Sequence, residues 1–171
     1  TGTSSFTTSA TNGFITLSNT SNAFADAVTL STTGATAHAI IDNGTTTLDI
    51  AASTVGGDLT LTSGATAGIT DSGAVSVAGN FVATTDANSG LINMATLEVN
   101  GTIALTTDAT GDATIVSDDD IDCAHSTVRG DLHATATPGN IIGTGCLLYP
   151  SEDSKHSQLR RRRRYLLVSH L

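Results

Sequence analysis

Gly57-Asp58-Leu59-Thr60-Leu61-Thr62, Gly79-Asn80-Phe81-Val82-Ala83-Thr84 and Gly101-Thr102-Ile103-Ala104-Leu105-Thr106 are three versions of one phrase, spaced 22 residues apart. Stacked, they form columns. Leu59, Phe81 and Ile103 share one apolar column, and Leu61, Ala83 and Leu105 share the next. Thr62, Thr84 and Thr106 make a polar ladder on the opposite face, as the two-residue period of a strand requires. Further along each segment Val75 aligns with Leu97 and Val77 with Val99.

A 22-residue unit of short strands cannot bury its apolar face alone, whereas stacked copies bury one continuous core. The expected fold is therefore all-β: a parallel β-helix, or β-solenoid, with coils of about 22 residues and right-handed crossovers. About six to seven coils over residues 1–146 would give a rod on the order of 30 Å long, at ~4.8 Å per rung. Residues 1–56 fit the same scheme. Phe14-Ile15-Thr16-Leu17, Ala27-Val28-Thr29-Leu30 and Thr47-Leu48-Asp49-Ile50 alternate, and Asn19–Asn22, Thr32–Gly34 and Asp42–Gly44 punctuate them as turns.

A longer period overlies the short one. Ser53-Thr54-Val55-Gly56-Gly57-Asp58-Leu59 returns as Ser126-Thr127-Val128-Arg129-Gly130-Asp131-Leu132, and Asp49 and Ala51 return as Asp122 and Ala124 at the same spacing of 73. Residues 2–17 resemble 79–94 at a spacing of 77, with Thr7, Thr8 and Ala10 matching Thr84, Thr85 and Ala87, and Phe14-Ile15 matching Leu91-Ile92. Val28, Leu30, Thr32 and Ile40 meet Ile103, Leu105, Thr107 and Ile115 at 75. The expectation is two blocks of about three coils, roughly 2–78 and 79–145, with the differences in length taken up in turns.

Composition agrees. Aromatic residues are 4%, tryptophan is absent and there are two prolines, while a hydrophobic content of 39% is too high for a disordered chain. The net charge of −9 is uneven: residues 1–146 hold fourteen acids against Arg129 alone, a balance of −13. Such a body is a poor electrostatic partner for nucleic acid or an anionic membrane. No apolar run is long enough to span a membrane. Residues 147–171, with Lys155 and Arg160 to Arg164, carry +4 and share neither alternation nor glycine spacing with the body. This basic tail is expected to be disordered or foreign to the fold, although Tyr165 to Val168 offers an apolar piece to lie over the last coil, where a solenoid needs a cap.

The blocks Gly-Asp-Leu-Thr-Leu-Thr-Ser-Gly at 57–64, Ile-Thr-Asp-Ser-Gly-Ala-Val-Ser-Val-Ala-Gly at 69–79 and Asn-Ala-Phe-Ala-Asp-Ala-Val-Thr-Leu at 22–30 resemble the repeats of filamentous-haemagglutinin-like bacterial surface proteins. The resemblance covers about residues 2–145. It implies a right-handed parallel β-helix, secretion through an outer-membrane partner and a part in cell adhesion or biofilm.

Several constellations compete with a purely structural reading. Arg129-Gly130-Asp131 is a candidate adhesion motif, but the first copy has Gly56-Gly57-Asp58, so only Arg129 is new. Asp118, Asp119, Asp120 and Asp122 are calcium candidates, since hard cations take clustered oxygens; a solvated strand end explains them as well. Cys123, His125 and His133 replace Ile50, Ala52 and Thr60 of the first copy, so Cys123 is expected to be a small core side chain and no metal site follows. Two cysteines give no disulfide framework. Asn19, Asn43 and Asn100 each begin a glycosylation sequon. An ice-binding face would need two threonine columns, and the one beside Thr62 reads Thr60, Val82, Ala104. The arginine run is read as a solvated end rather than a nucleic-acid site.

No nucleophile elbow, phosphate loop or metalloprotease motif is present, and a body with one arginine and few aromatics is poorly equipped for carbohydrate chemistry. The expectation is a non-catalytic structural and adhesive segment of a large bacterial fibre, extracellular or at the cell surface, with no cofactor. Host surface glycans or extracellular-matrix proteins are its expected partners. End-to-end self-association is expected too, because a stretch of solenoid ends in open sheet edges. The alternative is a carbohydrate-binding or carbohydrate-acting β-helix.

Overall fold

A computed structural model describes residues 2–143, 146–147 and 166–169. The chain forms an all-β solenoid of about six coils, in which every pair of neighbouring strands among the described residues is parallel. The middle coils have three sides. They run through β5 (Leu48–Ile50), β6 (Ser53–Val55) and β7 (Leu59–Ser63); then β8 (Ile69–Asp71), β9 (Val75–Val77) and β10 (Phe81–Thr85); then β11 (Ile92–Met94), β12 (Leu97–Val99) and β13 (Thr102–Thr107).

The columns of the 22-residue register are ladder rungs. Leu59 pairs with Phe81 and Phe81 with Ile103, Leu61 with Ala83 and Ala83 with Leu105, and Thr62, Thr84 and Thr106 lie side by side. Val75 pairs with Leu97 and Val77 with Val99. Alternate residues point into the core, so Leu59, Leu61, Phe81, Ala83, Ile103 and Leu105 are buried while the threonines lie outside. Burying each large apolar side chain contributes about 1.5–3 kcal/mol, and one rung repeats the gain of the last.

Before these coils, β1 (Ser4–Thr7) and β3 (Val28–Ser31) form one ladder, and β2 (Ile15–Leu17) and β4 (Ala39–Asp42) form another, which continues into β7. β3 is unbroken, but the coil above it bends at 51–52, so β3 carries β5 on its first half and β6 on its second. After the three-sided coils the same thing happens one side further round. The long β13 carries β15 (Ile121–Cys123) on its first half and β16 (Ser126–Thr127) on its second. β14 (Ala113–Ser117) follows β11 and is followed by β17 (Leu132–Ala136). β18 (Ile141–Ile142) lies on β15, and β19 (Cys146–Leu147) on β16.

The two blocks are thus equivalent, but they are not stacked in phase. β3 and its bent partner β5/β6 belong to one sheet, while β13 and β15/β16 belong to the other. A spacing of 73–77 residues is three 22-residue coils plus one strand, so the second block begins one side of the solenoid later. Each block is thus about three coils and one further strand.

One column of the sequence alignment is also corrected. Ala39 and Ala113 are the equivalent positions, since their N–H groups donate to the carbonyls of Asp58 and Asp131, both at 2.9 Å. This pairs Ile115 with the buried Ile41, not with Ile40, which is exposed. A shift of one residue exchanges the two faces of a strand.

Of the tail, β20 (Leu166–Ser169) runs parallel to β17, with His133 opposite Leu166 and Thr135 opposite Val168. The expectation of disorder for 148–165 lies outside the described residues. Among the described residues no helix is long and apolar enough to cross a membrane.

Candidate functional site

The repeated heptamer forms the best-defined local structure of the chain, and the adhesion motif lies within it. At the bend between β5 and β6 the strand loses a carbonyl that β3 would have used. The Ser53 hydroxyl takes its place, accepting from the N–H of Leu30 at 2.9 Å and donating to the carbonyl of Ala51 at 2.7 Å. Ser126 does the same between β15 and β16, accepting from Leu105 N–H at 3.0 Å and donating to Ala124 at 3.2 Å. This explains why the serine recurs; its partner two residues before is a backbone carbonyl, which any residue supplies.

The following corner repeats bond for bond. The Thr32 hydroxyl donates to the Ala37 carbonyl and accepts from Gly56 N–H; the Thr107 hydroxyl donates to the Gly111 carbonyl and accepts from Arg129 N–H. Asp58 N–H donates to Nδ1 of His38 at 2.8 Å, and Asp131 N–H to the Asp112 carboxylate at 2.7 Å. With Nδ1 accepting, a neutral His38 carries its proton on Nε2. The ring is also stacked on Phe14, with centroids 5.5 Å apart.

Arg129 and Asp131 are therefore exposed side chains on a corner whose backbone is tied to the coil below. A β-carbon on Gly57 would come within 2.8 Å of His38 Nδ1 and 3.0 Å of the backbone of Ala37, so this corner needs glycine for close approach. At Gly56 an added β-carbon would meet the backbone of Gly34 at 2.7 Å. The turn beneath Arg129 is one residue shorter, since Thr107 reaches a carbonyl four residues on where Thr32 reaches five. That shortening goes with a side chain at 129 where the first copy has none.

The four aspartates do not converge. The ladder β6–β9–β12 ends at β12, because the next coil passes over it with Asp118, Asp119 and Asp120, which form a bend instead of a strand. Two grooves of about 300 Å³ each flank this end. Asp119, Asp120 and Asp122 line one with Asn100 and Thr102, whereas Asp118 lines the other with Thr96, Glu98 and Val116. Asp120 already accepts from Asn140 N–H at 2.7 Å, and Asp119 from Asp120 N–H at 2.8 Å. Among the described residues no group of three or more His, Cys, Asp or Glu is placed to hold a metal ion. His125 is exposed in the bend, and His133 lies on the outer face of β17 with Nε2 at 3.3 Å from the Thr135 hydroxyl.

Cys123 is partly buried against the core, and it is disulfide-bonded. The sequence has one other cysteine, Cys146, whose backbone pairs with Ser126. The Asn43 sequon lies inside the fold. Instead of offering a glycosylation site it is fully buried, accepting from Phe24 N–H at 2.8 Å and donating to the carbonyls of Phe24, Thr46 and Thr47. The motif Asp-Asn-Gly reads as a turn in sequence, and nothing local to it signals a side chain that bridges two coils.

Residues 35–106 match the model of a family described as repeats of unknown function (DUF5649). The matched span runs from just before β4 to the last residues of β13 and so covers the three-sided coils but for Thr107. No curated protein and no solved structure matches the chain.

Proposed function

We propose that this chain is a non-catalytic structural and adhesive segment of a large bacterial fibre, secreted or held at the cell surface, built from filamentous-haemagglutinin-like repeats. The observation that carries the reading is the division of labour within each rung. Inner positions such as Leu59, Phe81 and Ile103 form one unbroken apolar column, and outer positions such as Thr62, Thr84 and Thr106 repeat a short polar group at every coil. The first gives a stiff rod through continuous hydrogen-bond ladders, and the second a wet face on which weak contacts recur along its length. The disulfide at Cys123 supports an extracellular or cell-surface location, because disulfides persist in oxidising compartments.

Host surface glycans and extracellular-matrix proteins are the partners this surface fits. A carbohydrate-binding role would fall to the groove beside Asp119, Asp120 and Asp122, whose lining has no aromatic ring for a sugar to stack on. The test is an array of glycans and matrix proteins probed with the whole 171-residue chain. Binding that is multivalent and indifferent to Asp122→Asn supports the fibre reading. Binding of a single glycan that Asp122→Asn abolishes supports the groove, and absence of binding to every surface removes the adhesive part.

A further inference from the structure

The internal duplication supplies a template for the places that the two cysteines take in the fold. Cys123 is the last residue of β15, just before the bend, where Ile50 is the last residue of β5 in the first block. Cys146 opens β19 and pairs with Ser126, as Val75 opens β9 and pairs with Ser53. Cys146 is therefore the register equivalent of Val75. Ile50 and Val75 are both buried in the core. The first block thus puts apolar side chains at two inward places that lie on successive coils beside one bend.

The second block puts sulfur there. Cys123 is disulfide-bonded, no cysteine is free among the described residues, and Cys146 is the other cysteine of the sequence. The coil that carries Cys146 also lies tight against Cys123. A β-carbon on Gly143, the residue after β18, would come within 2.9 Å of the Cys123 backbone nitrogen. Gly143 takes a φ of 104°, in the region that favours glycine.

We infer that Cys123 and Cys146 form a redox-controlled clasp that holds the β18–β19 coil on the β15–β16 coil. The ladders show why this coil needs one. In the first block β8 meets β5 over three pairs, from Leu48 opposite Ile69 to Ile50 opposite Asp71, and β9 meets β6 over three more. In the second, β18 meets β15 over two pairs and β19 meets β16 over two. Ile69 is fully buried, whereas Ile141, opposite Ile121, is only partly so. With fewer hydrogen bonds and less apolar surface buried, the β18–β19 coil opens more readily than its counterpart. A covalent link between the two coils restricts that opening.

The clasp closes by thiol–disulfide exchange. The Cys123 and Cys146 thiols form the S–S bond while a low-molecular-weight disulfide is cleaved to two thiols, which take up the electrons and protons; a dithiol reverses the step. The β18–β19 coil is thus loose in a reducing compartment and fastened in an oxidising one. This device stands independently of any adhesive role.

The experiment is hydrogen–deuterium exchange on the full chain, with and without a dithiol reductant, after peptide mapping under non-reducing conditions. Mapping should find one link within the chain, between Cys123 and Cys146. Reduction should speed exchange in peptides that contain β18 and β19 by about tenfold or more and leave β8 and β9 unchanged. Cys123→Ile with Cys146→Val, which installs the apolar pair of the first block, should exchange slowly in β18 and β19 whether reductant is present or absent. A link between chains or none at all overturns the inference, as does exchange in β18 and β19 that ignores the reductant. Reduction that speeds β8 and β9 equally also overturns it, because the bond would then staple the whole fold instead of one coil. A double variant that still responds to reductant would assign the response to something other than these cysteines.

Discussion

The Leu30 N–H donates to the Ser53 hydroxyl at 2.9 Å, and this bond stands where a backbone carbonyl would be if the strand above did not bend. Leu105 and Ser126 repeat it at 3.0 Å in the second block. One side-chain oxygen thus lets a long strand carry two short ones, and so lets a two-stranded coil become three-sided.

Ser53→Ala and Ser126→Ala should each leave a buried N–H unpaired and destabilise the chain by about 1–3 kcal/mol, measured by urea denaturation. Thr54→Ala, on the exposed position next to it, should fall within about 0.5 kcal/mol of wild type.

The coil length and the inward columns were legible in sequence because Gly57, Gly79 and Gly101 mark the same corner of three successive coils and Leu59, Phe81 and Ile103 follow it. The side on which each block begins was not. Alternation of apolar and polar residues is the same on every side, so β3 and β13 look like members of one column although they lie in different sheets. Ile40 and Ile41 illustrate the same limit at one residue: two neighbouring isoleucines leave the face ambiguous until a hydrogen bond fixes the register. Of the candidate sites, the structural reading of Gly130 and Asp131 was legible from Gly57 and Asp58. The bridging role of Asn43 and the disulfide at Cys123 depend on partners distant in sequence.

Asn43→Ala should be among the most destabilising single substitutions in the chain. It removes the side-chain partner of Phe24 N–H and of the Phe24 and Thr47 carbonyls, while the Thr46 carbonyl keeps the Ser63 hydroxyl, at a cost of about 3 kcal/mol or more in denaturant titrations. Produced in a glycosylating host, the folded protein should carry no glycan on Asn43 by peptide mass mapping, whereas Asn19 and Asn100 are exposed.

Gly57→Ala should cost about 1–3 kcal/mol, because the new methyl meets the ring of His38 and the backbone of Ala37 in a corner with no slack. Both are read by urea denaturation, in which Gly2→Ala, where a β-carbon meets nothing within 4 Å, should have no measurable effect.

Arg129→Ala should leave stability within about 0.5 kcal/mol of wild type, since only the backbone N–H of residue 129 is used by the corner. Attachment of integrin-bearing cells to a surface coated with the chain should be equal for the two proteins. A drop in attachment specific to Arg129→Ala would assign the motif a role that its corner does not require.

The account rests on one register, in which Thr84 and Thr106 are side by side on adjacent parallel strands. The direct measurement is oxidative cross-linking of the Thr84→Cys, Thr106→Cys double variant, read by mass mapping of the linked peptides, with Thr84→Cys, Thr114→Cys as the control on a different sheet. The register predicts an efficient link within one chain for the first pair and none for the second. No link between 84 and 106, or equal linking of both pairs, would contradict the solenoid.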